Sequence, residues 1–327
     1  MADDADHPEQ RYTPEQTGMY ELEFPAPQLS SADGRGPVLI HALEGFSDAG
    51  HAIRLAAQHL KNTLDTELVA SFAIDELLDY RSRRPLMTFK TDHFTHYEEP
   101  ELNLYALHDS VGTPFLLLAG LEPDLRWERF ITAVRMLAER LGVRRVIGLG
   151  TIPMAVPHTR PITLTAHASD KELIADHQPW VGEVQVPGSA SNLLEFRMSQ
   201  HGHEVVGYTV HVPHYLAQTD YPAAAEALLA EVAKSGSLEI PLNPLFEAGA
   251  EVLTKINEQV EASAEVAQVV AALERQYDAF VSAQENRSLL AHDEDLPSGD
   301  ELGAEFERFL AQQTKHKDRY NEGDDSK

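Results

Sequence analysis

The chain has 327 residues, 43% of them hydrophobic, which is enough for one large domain or two modest ones around a packed core. Its 26 Lys and Arg against 53 Asp and Glu give a net charge of -27, which repels phosphate backbones and anionic lipid; the densest basic run, Arg81-Ser82-Arg83-Arg84 beside Asp79, reads as a solvated loop, so neither nucleic acid nor membrane is an expected partner. The absence of cysteine excludes disulfides, thiolate catalysis and Cys-ligated zinc, and with an acidic Met1–Gln10 and no apolar run of membrane-spanning length the expected compartment is the cytoplasm.

Residues 1–35 mix Pro, Asp, Gln and Gly without a sustained period and are expected to form a mobile arm, with Met19-Tyr20-Glu21-Leu22-Glu23-Phe24 as a short leading strand. From Val38 the pattern changes to short apolar runs separated by amphipathic stretches, which predicts an α/β core over 36–240 with a mostly parallel sheet flanked by helices. The clearest strands are Val38–Leu43, Phe115–Ala119, Val146–Leu149 and Val205–Val212. Ile53, Leu55, Ala56, Ala57 and Leu60 share one helical face, as do Phe130, Ala133, Val134, Leu137 and Leu141, with Gly142 as the stop. Between Asp75 and Asn103 the periodicity weakens, so a loop-rich excursion covering a site or a subunit contact is expected there. After Pro241 and Pro244 two helical stripes follow, Leu245 to Val260 and Val266 to Val281, predicting a C-terminal helical hairpin over 241–285 joined near Ala262-Ser263. Residues 286–327 read as an acidic flexible tail in which Ser298 and Glu301 form a capping box for a short helix near 299–312.

In an open α/β sheet, ligands collect beyond the carboxyl ends of the strands, where helix N-termini present unpaired N–H groups. Four segments follow the four strands: Glu44-Gly45-Phe46-Ser47-Asp48-Ala49-Gly50, the run Gly120-Leu121-Glu122-Pro123-Asp124, the proline-stiffened Gly150 to Pro161, and His211-Val212-Pro213-His214. A parallel sheet would place them on one rim and gather Glu44, Gly45, Ser47, Asp48, Glu122, Asp124, His158, Arg160, His211 and His214, an acid, base and cation set that could bind or turn over a ligand. The same residues also suit structural duty, with Asp48 and Asp124 as helix caps and His158 and Arg160 as donors to carbonyls or carboxylates. No metal is expected, because His211 and His214 are separated by a proline rather than set one helical turn apart. No dinucleotide, P-loop or nucleophile-elbow motif occurs, so no cofactor is expected either.

Taken together, Glu44-Gly45-Phe46-Ser47-Asp48-Ala49-Gly50, Gly120-Leu121-Glu122-Pro123, Ile152-Pro153-Met154-Ala155-Val156-Pro157-His158-Thr159-Arg160-Pro161 and His211-Val212-Pro213-His214-Tyr215-Leu216 resemble the proteasome assembly chaperone 2 (PAC2) family in its actinobacterial form. The Pro-His-Thr-Arg-Pro segment is the most specific of these. The resemblance implies a core related to the phosphorylase/hydrolase-like α/β fold and, as in eukaryotic and archaeal members, chaperoning of proteasome assembly through protein contacts. It departs from archaeal relatives that end in a hydrophobic-Tyr-X tail, since this chain ends Asp325-Ser326-Lys327. Two functions are therefore expected from the sequence. The first is a homo-oligomeric protein-binding scaffold, for example a trimer, with proteasome subunits or other proteins as partners. The second is a hydrolase- or phosphorylase-like enzyme for a small anionic or nucleoside-like substrate, with Arg160 holding an anion, His158 as acid or base, and Asp48 or Glu44 polarising a hydroxyl or water.

Overall fold

The computed structural model describes residues 18–23, 27, 29, 34–45, 47–178 and 182–289; most of the expected N-terminal arm and the tail from 290, with its helix near 299–312, lie outside them. The described residues divide into two units, 18–178 with 188–277, and a small one of 182–187 with 278–289. In chain order the elements are β1 (Tyr20–Leu22), β2 (Val38–Glu44), α1 (Ala52–Thr63), β3 (Asp65–Phe72), α2 (Ile74–Leu77), β4 (Met87–Lys90), β5 (His93–Tyr97), β6 (Leu102–His108) and β7 (Pro114–Leu121). They continue with α3 (Trp127–Arg140), β8 (Arg145–Met154), β9 (Leu164–Ala168), α4 (Ala190–Gln200), β10 (Glu204–Pro213), α5 (Pro222–Gly236), α6 (Asn243–Ala262) and α7 (Ala264–Leu289).

Eight strands form one sheet in the order β1-β3-β6-β7-β2-β8-β10-β9. Its four central strands, β7, β2, β8 and β10, are the four read from the sequence, and they are mutually parallel. The flanking strands run antiparallel for a local reason that is clearest at β6–β7. There Asp109 accepts the N–H groups of Val111 and Thr113 and closes a tight turn, which is too short for a parallel crossover.

Alternation along the strands feeds a core on each face. In β2, Val38, Ile40 and Ala42 point to the side covered by α1, α5 and α6, where Ile53, Leu60, Leu228 and Val232 pack. Leu39 and Leu43 point to the other side, against Phe130, Val134 and Leu137 of α3 and Leu194 and Met198 of α4. Each fully buried Leu or Phe adds roughly 1.5–3 kcal/mol of transfer free energy, so the two faces rather than any polar contact supply most of the driving force. Alternation also sends His41, in the middle of the apolar run Val38–Leu43, onto the α4 face with no exposed surface.

The stretch between Asp75 and Asn103 contains the rest of α2 and the hairpin β4–β5, which forms its own two-stranded sheet with every residue exposed. The helical extension breaks at Ser263, whose extended backbone separates α6 from α7. Among the described residues no helix is long and apolar enough to cross a membrane.

Candidate functional site

The parallel strands β2, β7, β8 and β10 carry the sequence-predicted polar residues to one rim, where each is engaged by its own neighbours. Asp48 accepts the N–H groups of Ile53 (2.8 Å) and Arg54 (3.2 Å), satisfying the first turn of α1. Burial pushes its carboxyl above the usual range, opposed by those two backbone bonds. Ser47 and Thr151 exchange hydroxyl-to-carbonyl bonds (2.7 and 2.8 Å), and Thr151 also accepts the Ala49 N–H, so the β2 and β8 segments are tied together. Glu44, at the end of β2, is likewise raised by burial and then by the charge of Asp48. Glu122 is buried, packs against Gly45 so closely that a Cβ there would overlap it, and accepts the Ser191 N–H at the start of α4. Asp124 is ion-paired with Arg83 and accepts the Asp79 N–H.

His158 is buried and held on both ring nitrogens. Tyr215 Oη lies 2.6 Å from Nδ1 and accepts the His158 backbone N–H, while Asn257 Oδ1 of α6 lies 3.1 Å from Nε2. Because Asn257 Oδ1 can only accept, Nε2 carries the proton of that bond. Arg160 and Thr159 both reach Glu274 of α7, at 3.2 and 2.5 Å. The Pro-His-Thr-Arg-Pro segment therefore holds the two C-terminal helices to the rim. His211 sits between the hydroxyls of Thr163 and Thr165, each 2.9 Å away, whereas His214 is exposed and stacks edge-on against Tyr215. A cleft of about 500 Å³ opens on this rim below the hairpin, lined by Lys61, Arg83, Arg84, Glu99 and Glu101. Of the ten predicted residues only Glu44 lines it; His158, Arg160 and Asp48 are engaged elsewhere. Among the described residues no group of three His, Asp or Glu side chains is placed to hold a metal.

The most unusual polar arrangement was not legible as a motif. The register His41↔Gly148, Gly148↔Gly207, Gly207↔His167 lines up one residue from each of β2, β8, β10 and β9 in a single row across the sheet. Glu195 of α4 fills the gap above the two glycines. One carboxylate oxygen is hydrogen-bonded to His167 Nε2; the other faces His41 Nε2 at 3.2 Å without hydrogen-bond alignment. A Cβ at Gly148 would overlap Glu195 and crowd His41, and one at Gly207 would overlap the His167 ring. Burial by itself would raise the Glu195 carboxyl, yet the hydrogen bond of His167, with the His41 ring beside it, outweighs burial and holds the group down at about 2.

Ser191 Oγ lies 3.1 Å from His41 Nδ1, so serine, histidine and glutamate stand in the order of a nucleophile, base and orienting carboxylate. Two features make the chain structural instead. His41 has no exposed surface, and the buried Glu122 carboxylate already accepts the Ser191 N–H, placing negative charge where an oxyanion would have to be stabilised. The sequence signals that point to this row are a lone histidine inside an apolar strand and a glycine in the interior of each of two strands, which marks a close approach.

The model of the PAC2 family matches residues 42–260. A protein of unknown function from Mycobacterium tuberculosis is similar in structure at 81% identity and a TM-score of 0.82, covering 86% of this chain and 95% of its own. A second, from Corynebacterium glutamicum and also of unknown function, has 45% identity and a TM-score of 0.78 over 81% of this chain and 98% of its own. A proteasome-assembly chaperone homologue from Mycobacterium tuberculosis shares the fold at 24% identity and a TM-score of 0.66, over 71% of this chain and 99% of its own. No curated protein matches the chain.

Proposed function

The chain belongs to the PAC2 family, and from that premise we propose that it is a self-associating scaffold of the proteasome-assembly-chaperone kind, acting through protein contacts in the cytoplasm. The observation that carries this reading is the hairpin β4–β5. Leu86, Met87, Phe89, Phe94 and Tyr97 are all exposed, with Phe89 at 58% and Phe94 at 62%, and the two phenylalanine rings meet edge to face at 5.2 Å. A two-stranded ribbon is marginal in water alone, and a cluster of exposed apolar side chains on one arm is the surface that a protein partner covers. Closed symmetry lets identical arms cover one another, so a homo-oligomer such as a trimer is the simplest occupant. Proteasome subunits are the second class of partner, by analogy with the chaperone homologue that shares the fold. The net charge of -27 favours a basic docking surface on that partner. The internal pairing of His158, Arg160 and Asp48 weighs against turnover of a small substrate.

Sedimentation of the full-length protein over a wide concentration range tests self-association: a mass that is a whole multiple of one chain supports it, and a single-chain mass at every concentration sinks it. Affinity capture from native cytosol, beside a variant with residues 86–97 replaced by a short Gly-Ser turn, tests the second class. Stoichiometric proteasome subunits that are lost with the variant support the reading; the protein captured alone removes the proteasome from it.

A further inference from the structure

Among the described residues, strand β9 ends the sheet and has β10 as its one neighbour. Bonds from His211 N to Thr163 O and from Ser169 N to Val205 O set the alternation, which directs the backbone groups of Leu164, Ala166 and Ala168 away from β10 to the open side. Two histidines tie this strand to the sheet on its α4 face. His167 crosses above Gly207 to Glu195, and His211 of β10 bridges Thr163 and Thr165. We infer that β9 is a proton-gated edge: a protonated His167 on Glu195 and a neutral His211 between two threonine hydroxyls hold it in one pH window, and it loosens on either side.

Among the described residues, few groups face the pair. Glu195 comes from α4, His41 from β2, and β8 and β10 present only Gly148 and Gly207; Ser191 and, behind it, Glu122 complete the chain at the start of α4. His211 meets uncharged hydroxyls. The two imidazoles are displaced in opposite directions. The hydrogen bond to Glu195 raises His167 above its ordinary 6.5, against the opposing effect of burial, with the charge of that carboxylate adding to the rise. Burial lowers His211 below 6.5. The contribution of His167 is therefore complete below pH 6.5 and is lost as pH rises through its folded value, whereas His211 begins to destabilise as pH falls below 6.5. The hold on β9 is strongest near pH 6.5. Because β9 follows directly on the segment whose His158, Thr159 and Arg160 hold α6 and α7, loosening the edge also loosens the seat of the C-terminal helices.

Amide hydrogen exchange of the full-length protein, read on peptides from β9 between about pH 5 and 9 and corrected for the intrinsic rate, tests the gate. Protection should peak near pH 6.5 and fall roughly fivefold on the alkaline side, the gap between a charge-assisted and a neutral hydrogen bond. His167→Gln should remove the alkaline fall and His211→Gln the acid one. Flat protection in the wild type, or both falls persisting in the variants, overturns the inference. Should either variant fail to fold, NMR titration of the wild-type imidazoles decides: His167 and His211 titrating on opposite sides of 6.5 supports the gate, and both on one side overturns it.

Discussion

Two regions of the molecule invert the usual placement of side chains, and they do so in opposite senses. The hairpin β4–β5 holds phenylalanine, methionine and tyrosine in solvent, while the row His41–Gly148–Gly207–His167 takes imidazoles and a carboxylate into the sheet face. The row, buried at its His41 end, is complete within one chain, because Glu195 fills the space left by two glycines and each histidine finds it. The hairpin is incomplete, since nothing in its own two strands covers its apolar surface. Polar burial here accompanies contacts made within the chain, and on the proposed reading apolar exposure marks the surface that a partner would cover.

The sharpest way to break that contrast is to remove the carboxylate. Glu195→Ala leaves His41 without its partner and should cost about 3 kcal/mol in urea unfolding, the low end for breaking a buried pair because His167 can rehydrate. A loss below about 1 kcal/mol would mean that water already reaches the row, and the distinction between the regions would collapse. Gly148→Ala comes next: the added methyl meets Glu195 and the fully buried His41, so about 1–3 kcal/mol of overpacking is expected. Gly207→Ala should cost less, because the His167 ring it meets is half exposed and can swing aside. Equal losses at the two glycines would deny that His41 is the rigid end of the row.

The parallel centre of the sheet was legible because its strands are short apolar runs followed by Gly, Pro and capping residues, and the break between α6 and α7 at Ser263 was legible from two helical stripes. Strands β3, β6 and β9 were not, since their polar and apolar residues alternate irregularly and their placement is set by the neighbours they pair with. Of the predicted site, the rim location followed from strand direction, but the partners of each residue did not. Tyr215 and Asn257 meet His158 across 57 and 99 residues of chain, a contact that only tertiary packing defines. The row from His41 to His167 depends on register across four strands, and a shift of one residue would turn every member to the other face.

A smaller effect probes the boundary between core and extension. Asn257→Ala removes the bond to His158 Nε2 and should cost about 1 kcal/mol, with faster proteolysis in α6 and α7 and an unchanged core transition. A change confined to the core would place the helices outside the reach of the rim segment.

The smallest expected change in chain stability separates the two regions most cleanly. Phe89→Ser with Phe94→Ser alters side chains that are already in solvent, so at low protein concentration the unfolding free energy should move by less than about 0.5 kcal/mol. At high concentration the outcome should differ. If the hairpin joins copies of the chain, the wild-type midpoint rises with concentration, because association stabilises the folded state by mass action, and the variant's midpoint stays fixed. A variant that unfolds early at every concentration would show that the two rings stabilise their own chain, and the hairpin would join the buried row as a finished part of one molecule.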